Sequence, residues 1–415
     1  MPNGLTVITD TKAAGGAAIT ISIDCGARDE RASECGVANL SAQSALEGTA
    51  SVSGRDATRL RAAYQIRGSA GVERTEFRAW VPAGSGCREA VGLLAGAISE
   101  ATCYADVVEM EKRAAISELE MTEGTRERTR ELLRWAVWRE HGLGRPSAGA
   151  KASVMRLGRR HVLGFMDRQW RPERMTVAVV GPGDMASVED EIAEAFGRMR
   201  PGADRTQTTP VWHPDAIYQR SAGPECHFAI GFPAVERGHR LAAGFDLLAR
   251  VTAGGVESRL FRRLRTELNL VGRIRSEYRG YSDAGMWVIE GSTRRENETA
   301  AVRAVIEEME NFGNGCPVTE EELWKASRAR GEAWRAESVD AVAWSRRLAR
   351  DGGWRCGGEN WSEAMAQASE VDALARRSVA YWLPEMGLAR MGPELEREGL
   401  WQVRAAACGP RMSLQ

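Results

Sequence analysis

The sequence predicts an α+β protein of two homologous domains, each a mainly antiparallel sheet packed with helices. Strand and helix signals follow a similar order in the first and second halves of the 415 residues. Between the halves, residues 201–222 are polar, proline-rich and aperiodic, and read as linker. The order of elements does not fit a run of strict βαβ units. The expected division is 1–205 for the first domain, 206–222 for the linker and 223–415 for the second.

Taken in order, "GLTVITD" and "AAITISIDCGA" are apolar or alternating runs parted by turn residues, and read as a hairpin of strands. A short helix over about Gly36–Glu47 follows. "ATRLRAAYQIRG" has a helical pattern that runs to Gly68. "TEFRAWVPAG" alternates and stops at a Pro-Ala-Gly turn, so it is a strand. "CREAVGLLAGAISEA" carries an apolar stripe at helical spacing. One long helix is expected from about Ala105 to His141, its apolar face supplied by residues such as Val107, Met110, Leu119 and Leu132. "RMTVAVVG" is a buried strand and "MASVEDEIAEAFGRM" a helix. In the second half "CHFAIGFPA" and "MWVIEGST" are strands. "RLAAGFDLLARVTAG", closed by Gly254 and Gly255, is a helix, as are "ESRLFRRLRTEL" and "ENETAAVRAVIEEMENF". The remainder reads as mainly helical.

Composition bounds the function. The chain is 43% hydrophobic and 27% charged, with a net charge of -1. That is ordinary for a protein with a real core, and no global field favours nucleic acid or an anionic membrane. No apolar run reaches the roughly 18 residues of a membrane span, and the N-terminus lacks a signal-peptide pattern. A cytoplasmic protein is expected. The eight cysteines are scattered without a C-x-x-C and read as buried reduced thiols. The five histidines are dispersed, with no H-x-x-x-H pair.

Several motifs carry candidate chemistry. Asn39, Ala42 and Gln43 stand at i, i+3 and i+4, one face of one helical turn. Histidine, glutamate and histidine at that spacing form the zinc-hydrolase motif H-x-x-E-H. Glu111 and Glu118 lie two turns apart on one helix face, and on spacing alone read as a solvated acidic stripe. Gly181, Gly183 and Ala186 formally fit a dinucleotide fingerprint. No acidic residue closes a second strand, so the preferred reading is a strand-to-helix turn capped by Asp184 or Ser187. "ESRLFRRLRTE" is strongly basic. It reads either as a solvated face pairing with Glu257 and Glu267, or as a grip for a carboxylate or carbonyl.

In order and at spacing, these pieces resemble the insulinase/pitrilysin (inverzincin) zinc peptidases, in the half-size branch of the mitochondrial processing peptidase subunits. The resemblance starts at "PNGLTVIT" and continues at "GARDE" against G-S-R-D/N-E. "GVAN" falls on G-I-A-H, "EGT" on K-G-T and "LGRP" on L-G-R-P/T. In the second half "ESRLFRRLRTELNL" is similar to S-S-R-L-F-x-x-L-R-E-x-x-G-L, and "YSDAGMW" to the strand after it. The resemblance implies a clamshell of two such chains around a peptide chamber. It places the zinc-binding histidines on Asn39 and Gln43, the water-activating glutamate on Ala42, the third ligand on Glu118 and a supporting glutamate on Glu111. Its substrate-gripping arginine falls on Arg265, and the tyrosine seven residues on falls on Gly272; the glycine usual between them is Asn269. Glu47, one turn along, has nothing histidine-like near it to restore a site. Neutral amides are poor zinc ligands and alanine accepts no proton.

The expected function is therefore that of a non-catalytic subunit of a heterodimeric zinc metallopeptidase, inactive alone and without metal of its own. It would complete the chamber and help hold a peptide or precursor. Zinc is expected in a partner chain bearing H-x-x-E-H. The alternatives are a structural core subunit of a larger complex and a stand-alone peptide-binding protein, with a nicotinamide oxidoreductase more distant.

Overall fold

The computed structural model describes residues 1–12, 15–83, 86–122, 125–202, 208–222, 224–313, 317–351, 369–370 and 385–392. In chain order the elements begin with β1 (Thr6–Thr11), β2 (Gly16–Ile23), α1 (Val37–Ser44), α2 (Gly54–Ala63), β3 (Arg67–Ala70) and β4 (Thr75–Pro82). Next come α3 (Cys87–Ser99), α4 (Ala105–Thr122), α5 (Arg126–Trp138), α6 (Lys151–Val154), α7 (Arg159–Gln169), β5 (Met175–Gly181) and α8 (Met185–Phe196). The second half holds β6 (Ala216–Arg220), β7 (Glu225–Ala234), α9 (Ala242–Ala253), a π-helical turn (Phe261–Glu267), β8 (Arg273–Gly280) and β9 (Gly285–Arg294). It closes with α10 (Glu298–Gly313), α11 (Glu320–Val339), α12 (Ala341–Asp351) and β10 (Gly387–Gly392).

Two five-stranded sheets have the same plan. The first runs β1-β5-β2-β4-β3 and the second β6-β10-β7-β9-β8. In each, the outermost pair (β1 with β5, β6 with β10) is parallel and the other pairings are antiparallel. The duplication suggested by element order is thus explicit in topology. The sheets are antiparallel in the main, as expected.

The chain groups into two compact units, and neither is one continuous segment. The first is Met1–Met121, Arg145–Gln207 and Ala333–Cys356; the second is Thr122–Gly144, Thr208–Glu332 and Gly357–Gln415. The expected continuous division differs in two places. Residues 122–144, with α5, group with the second sheet, and 333–356, with α12, group with the first. The reason lies in the inner strands of each sheet, such as β2, β5, β9 and β10, which are buried on both faces. In the first unit Ile19, Ile21 and Ile23 of β2 join a core with Phe77, Leu94, Phe165 and Phe196. The opposite face presents Ala18 and Val180, covered by Ala341, Trp344 and Leu348 of α12. In the second unit Phe228, Ile230 and Phe232 of β7 pack with Trp287 and helix residues such as Leu248 and Val305. The intervening face is kept small for α5: a Cβ on Gly387 would lie 2.2 Å from Cγ1 of Val137.

Five local expectations are corrected. β1 and β2 are not a hairpin, because β5 lies between them and pairs with both. The helix expected over Ala105–His141 is two helices, α4 and α5, which belong to different units. The helical pattern of "ATRLRAAYQIRG" ends at Ala63, and Gly68 lies in β3. The stretch read as linker contains β6, whose short "AIYQR" is masked by prolines before it. The mainly helical end also yields a strand, β10; 352–368, 371–384 and 393–415 lie outside the described residues. The turn after β5 is capped as read, with Asp184 accepting from the Ala186 N–H at 3.0 Å. Among the described residues Cys25, Cys103 and Cys226 are buried, and Cys35 and Cys87 half-buried. No helix among them is long and apolar enough to cross a membrane.

Candidate functional site

The site in the first unit is built around α1. Val37, Ala38, Leu40 and Ala42 bury its inner face, and its N-terminus is held by Glu30 of the "GARDE" loop. Glu30 accepts from the Gly36 N–H at 2.9 Å and the Ala38 N–H at 2.8 Å, satisfying donors that a helix start leaves open. Burial pushes the Glu30 carboxyl up to about 8, against the pull of those two N–H groups and of Arg145. Arg28 of the same loop pairs with Glu73 at 2.7 Å, both side chains buried. Arg145, from the "LGRP" turn, donates to the carbonyl oxygens of Glu30 and Arg28. Two stretches far apart in sequence therefore meet on each other, and together they fix the start of α1.

On this frame Asn39 is half-exposed and Ala42 fully buried. Gln43 is half-exposed and donates its Nε2–H to the Gly68 carbonyl of edge strand β3 at 3.1 Å. The contact is close because residue 68 is glycine: a Cβ there would lie 2.6 Å from the Ala42 carbonyl oxygen. Glu118 is exposed on α4, and Glu111 is half-buried two turns earlier. Burial pushes the Glu111 carboxyl up, while Arg61 on α2 draws it down. Arg61 also forms an ion pair with Glu47, on the 3-10 turn that continues α1. The structure thus pairs Glu47 with Arg61, while Gln43 is engaged on β3.

This donor set does not fit a zinc ion. Zinc takes imidazole, thiolate or carboxylate donors. The three ligand positions hold two neutral amides, Asn39 and Gln43, and one exposed carboxylate, Glu118, with the Gln43 side chain already tied through its Nε2–H to a backbone carbonyl. Among the described residues no three His, Cys, Asp or Glu side chains stand as a metal-holding group.

In the second unit Arg265 is exposed on the π-helical turn. It donates to the carbonyls of Val271, at 3.3 Å, and Gly272. The arginine and the position of the missing tyrosine therefore meet, through backbone. Beside them lies a cavity of about 570 Å³ lined by residues including Phe261, Asn269, Arg294 and Asn297. The pairing with Glu267 considered for this helix belongs to Arg263, at 3.1 Å, and Glu257 pairs with Lys325 at 2.9 Å. Arg61 and Glu30 were not among the residues singled out from sequence. Arg61 had a signal: Glu47 stands where the resemblance has the lysine of K-G-T, and a reversed charge asks for a new partner.

A doubled five-stranded α+β unit, with a capped helix presenting positions 39, 42 and 43, is the scaffold of an insulinase-type peptidase. The model Insulinase (Peptidase family M16) matches residues 5–151, and the model Peptidase M16 inactive domain matches 156–329. The chain belongs to the peptidase M16 family. It is 26% identical over 321 residues to an uncharacterized zinc protease of Mycobacterium bovis, covering 75% of this chain and 73% of the relative. A zinc protease of Mycobacterium leprae, likewise described as uncharacterized, is 26% identical over 418 residues, 96% of this chain and 92% of the relative. Among solved structures, a peptidase M16 inactive domain from Pseudomonas fluorescens superposes with a TM-score of 0.81 at 17% identity, covering 95% and 97% of the two chains. A chain of complex III2 from Candida albicans gives 0.81 at 15%, covering 98% of each. Both share the fold.

Proposed function

We propose that this chain is the non-catalytic subunit of a heterodimeric zinc metallopeptidase. It completes the peptide chamber and helps hold a peptide or precursor for a homologous partner that carries H-x-x-E-H and the zinc. The observation that carries the reading is the turn of α1. Asn39, Ala42 and Gln43 occupy the motif positions on an otherwise intact, capped helix, and Gln43 is committed to β3. Ala42 has no group to take a proton from water, so the general-base step has no agent in this chain. Arg265, with its forked donors beside a polar cavity, is the candidate contact for a peptide carbonyl or carboxylate. The family membership and the zinc-protease names of its relatives support a peptidase context.

A second reading is a structural core subunit of a larger complex, without proteolysis. It is favoured by the fold shared with a chain of the Candida albicans complex III2. Co-expression with an H-x-x-E-H homologue from the same genome separates the two. The accessory role predicts a stable pair with one zinc and peptide cleavage only in the mixture. A partner fully active by itself, or no association, contradicts it and favours the scaffold. Peptide binding by the purified single chain without a partner favours a stand-alone binding protein.

A further inference from the structure

The face of the first sheet that lies away from α1 carries unbalanced charge. Side chains alternate along β4: Phe77 and Ala79 enter the core shared with α1, so Glu76 and Arg78 stand on the face that α12 covers. In register Glu76 lies between Ser22 of β2 and Ser69 of β3, and Arg78 between Thr20 and Arg67. Glu76 is buried and holds two cations of α12, Arg346 at 3.0 Å and Arg350 at 2.6 Å. Burial raises the Glu76 carboxyl, but Arg350 and Arg346 outweigh it and keep it below its usual value. Asp351, the one acidic residue of α12, pairs with Arg347 instead. The next rung is cationic without a counter-charge. Thr20, on one side of Arg78, bonds Ser345 of α12 at 2.8 Å, so the helix lies over this rung as well. On the other side stands Arg67, exposed on the edge strand β3. Like charges directly opposite on neighbouring strands repel. The Arg78 Nε and the Ser22 hydroxyl are both buried without a hydrogen-bond partner among the described residues.

We infer that Arg67 and Arg78 form a binding site for an oxyanion, a carboxylate or a phosphate group, entered at the β3 edge of the sheet. The four guanidiniums of Arg67, Arg78, Arg346 and Arg350 meet the one carboxylate of Glu76. Arg346 and Arg350 are anchored on that carboxylate, which fixes their charge next to the open rung. Arg67 and Arg78 keep their forked donors for a ligand, and the fork matches the oxygens of a carboxylate or phosphate. A bound oxyanion would also relieve the repulsion between the two opposed arginines. The site lies on the opposite face of the sheet from positions 39, 42 and 43, and the inference is independent of their reading.

The test is calorimetric titration of the full chain with inorganic phosphate and, separately, with a short glutamate-rich peptide and its glutamine counterpart, at constant ionic strength in chloride. The chain is compared with Arg78→Gln, Arg67→Gln and Arg328→Gln; the last removes the same charge from the second unit, where Arg328 pairs with Glu332. Thermal melting verifies folding, and Arg67→Gln, at an exposed position, decides the matter if Arg78→Gln does not fold. The expected result is saturable binding of phosphate or of the glutamate peptide. It weakens by about tenfold or more in Arg78→Gln and Arg67→Gln, the scale of one lost charge-assisted hydrogen bond, and is unchanged in Arg328→Gln. Binding of phosphate alone assigns the site to a free anion. Binding of the glutamate peptide but not its glutamine counterpart assigns it to an acidic side chain. No binding of either probe overturns the inference, and so does an affinity that is equal in all forms or falls as much in Arg328→Gln.

Discussion

Two neighbouring stretches of the first unit are held in opposite ways. The "GARDE" loop is locked by buried polar contacts: Arg28 on Glu73, Glu30 on the start of α1, and Arg145 on the loop's own carbonyls. The turn that follows it is held lightly. Asn39 and Gln43 are half-exposed, and Gln43 makes one hydrogen bond. Scaffold and chemistry therefore rest on separate residues. Removing Arg28 leaves the buried Glu73 without its counter-charge. Exchanging a side chain on the turn changes little beyond its own contacts. The site can lose its chemistry while α1 stays where the frame puts it.

The contrast can be broken by experiment, beginning with the largest effect. Arg28→Ala leaves the Glu73 carboxylate buried without its guanidinium, and should cost about 3–5 kcal/mol in urea unfolding. A loss near zero would remove the distinction between loop and turn.

The next effect is a pH dependence. The Glu30 carboxyl is raised from 4.5 to about 8 in the folded chain. Because the folded value lies above the unfolded one, the stability it contributes is fully present below about pH 4.5 and is lost as pH rises through about 8. Melting of the unaltered chain should therefore weaken across that window relative to Glu30→Gln, by on the order of a few kcal/mol. Parallel profiles for the two proteins would show that Glu30 is not the buried cap described.

Smaller effects belong to the turn and its surroundings. Arg61→Gln removes one side of a partly screened ion pair and should cost about 0.5–1 kcal/mol. Gln43→Ala should cost about 0.5–1 kcal/mol for its single hydrogen bond to Gly68. Asn39→Ala should stay within about 0.5 kcal/mol. If either turn variant destabilised the chain as much as Arg28→Ala, the turn would be part of the scaffold.

Much of this was legible in the sequence because strong local patterns survive. The alternation of Ile19, Ile21 and Ile23 marked β2, and the apolar stripe of "CREAVGLLAGAIS" marked α3. The positions of Asn39, Ala42 and Gln43 on one helix followed from their spacing. The pairing of β1 with β5 was hidden because parallel partners lie far apart in sequence, and nothing in either strand names the other. The exchange of α5 and α12 was hidden in the same way. Its trace is the small face of the strands, Ala18 in β2 and Gly387 in β10, which has meaning only once the covering helix is known. Arg61 was one arginine among several on a polar helix. Only its ion pair with Glu47, which comes from another element, distinguishes it from Arg55 and Arg59.

The central proposal is that the peptidase M16 fold persists here around a site that does not hold zinc or activate water. A zinc titration of the purified, unaltered chain, with peptide cleavage followed in the same samples, tests it most directly. The account predicts no stoichiometric zinc uptake and no cleavage beyond a metal-free blank. One tightly bound zinc per chain, with cleavage abolished by a chelator, would contradict it.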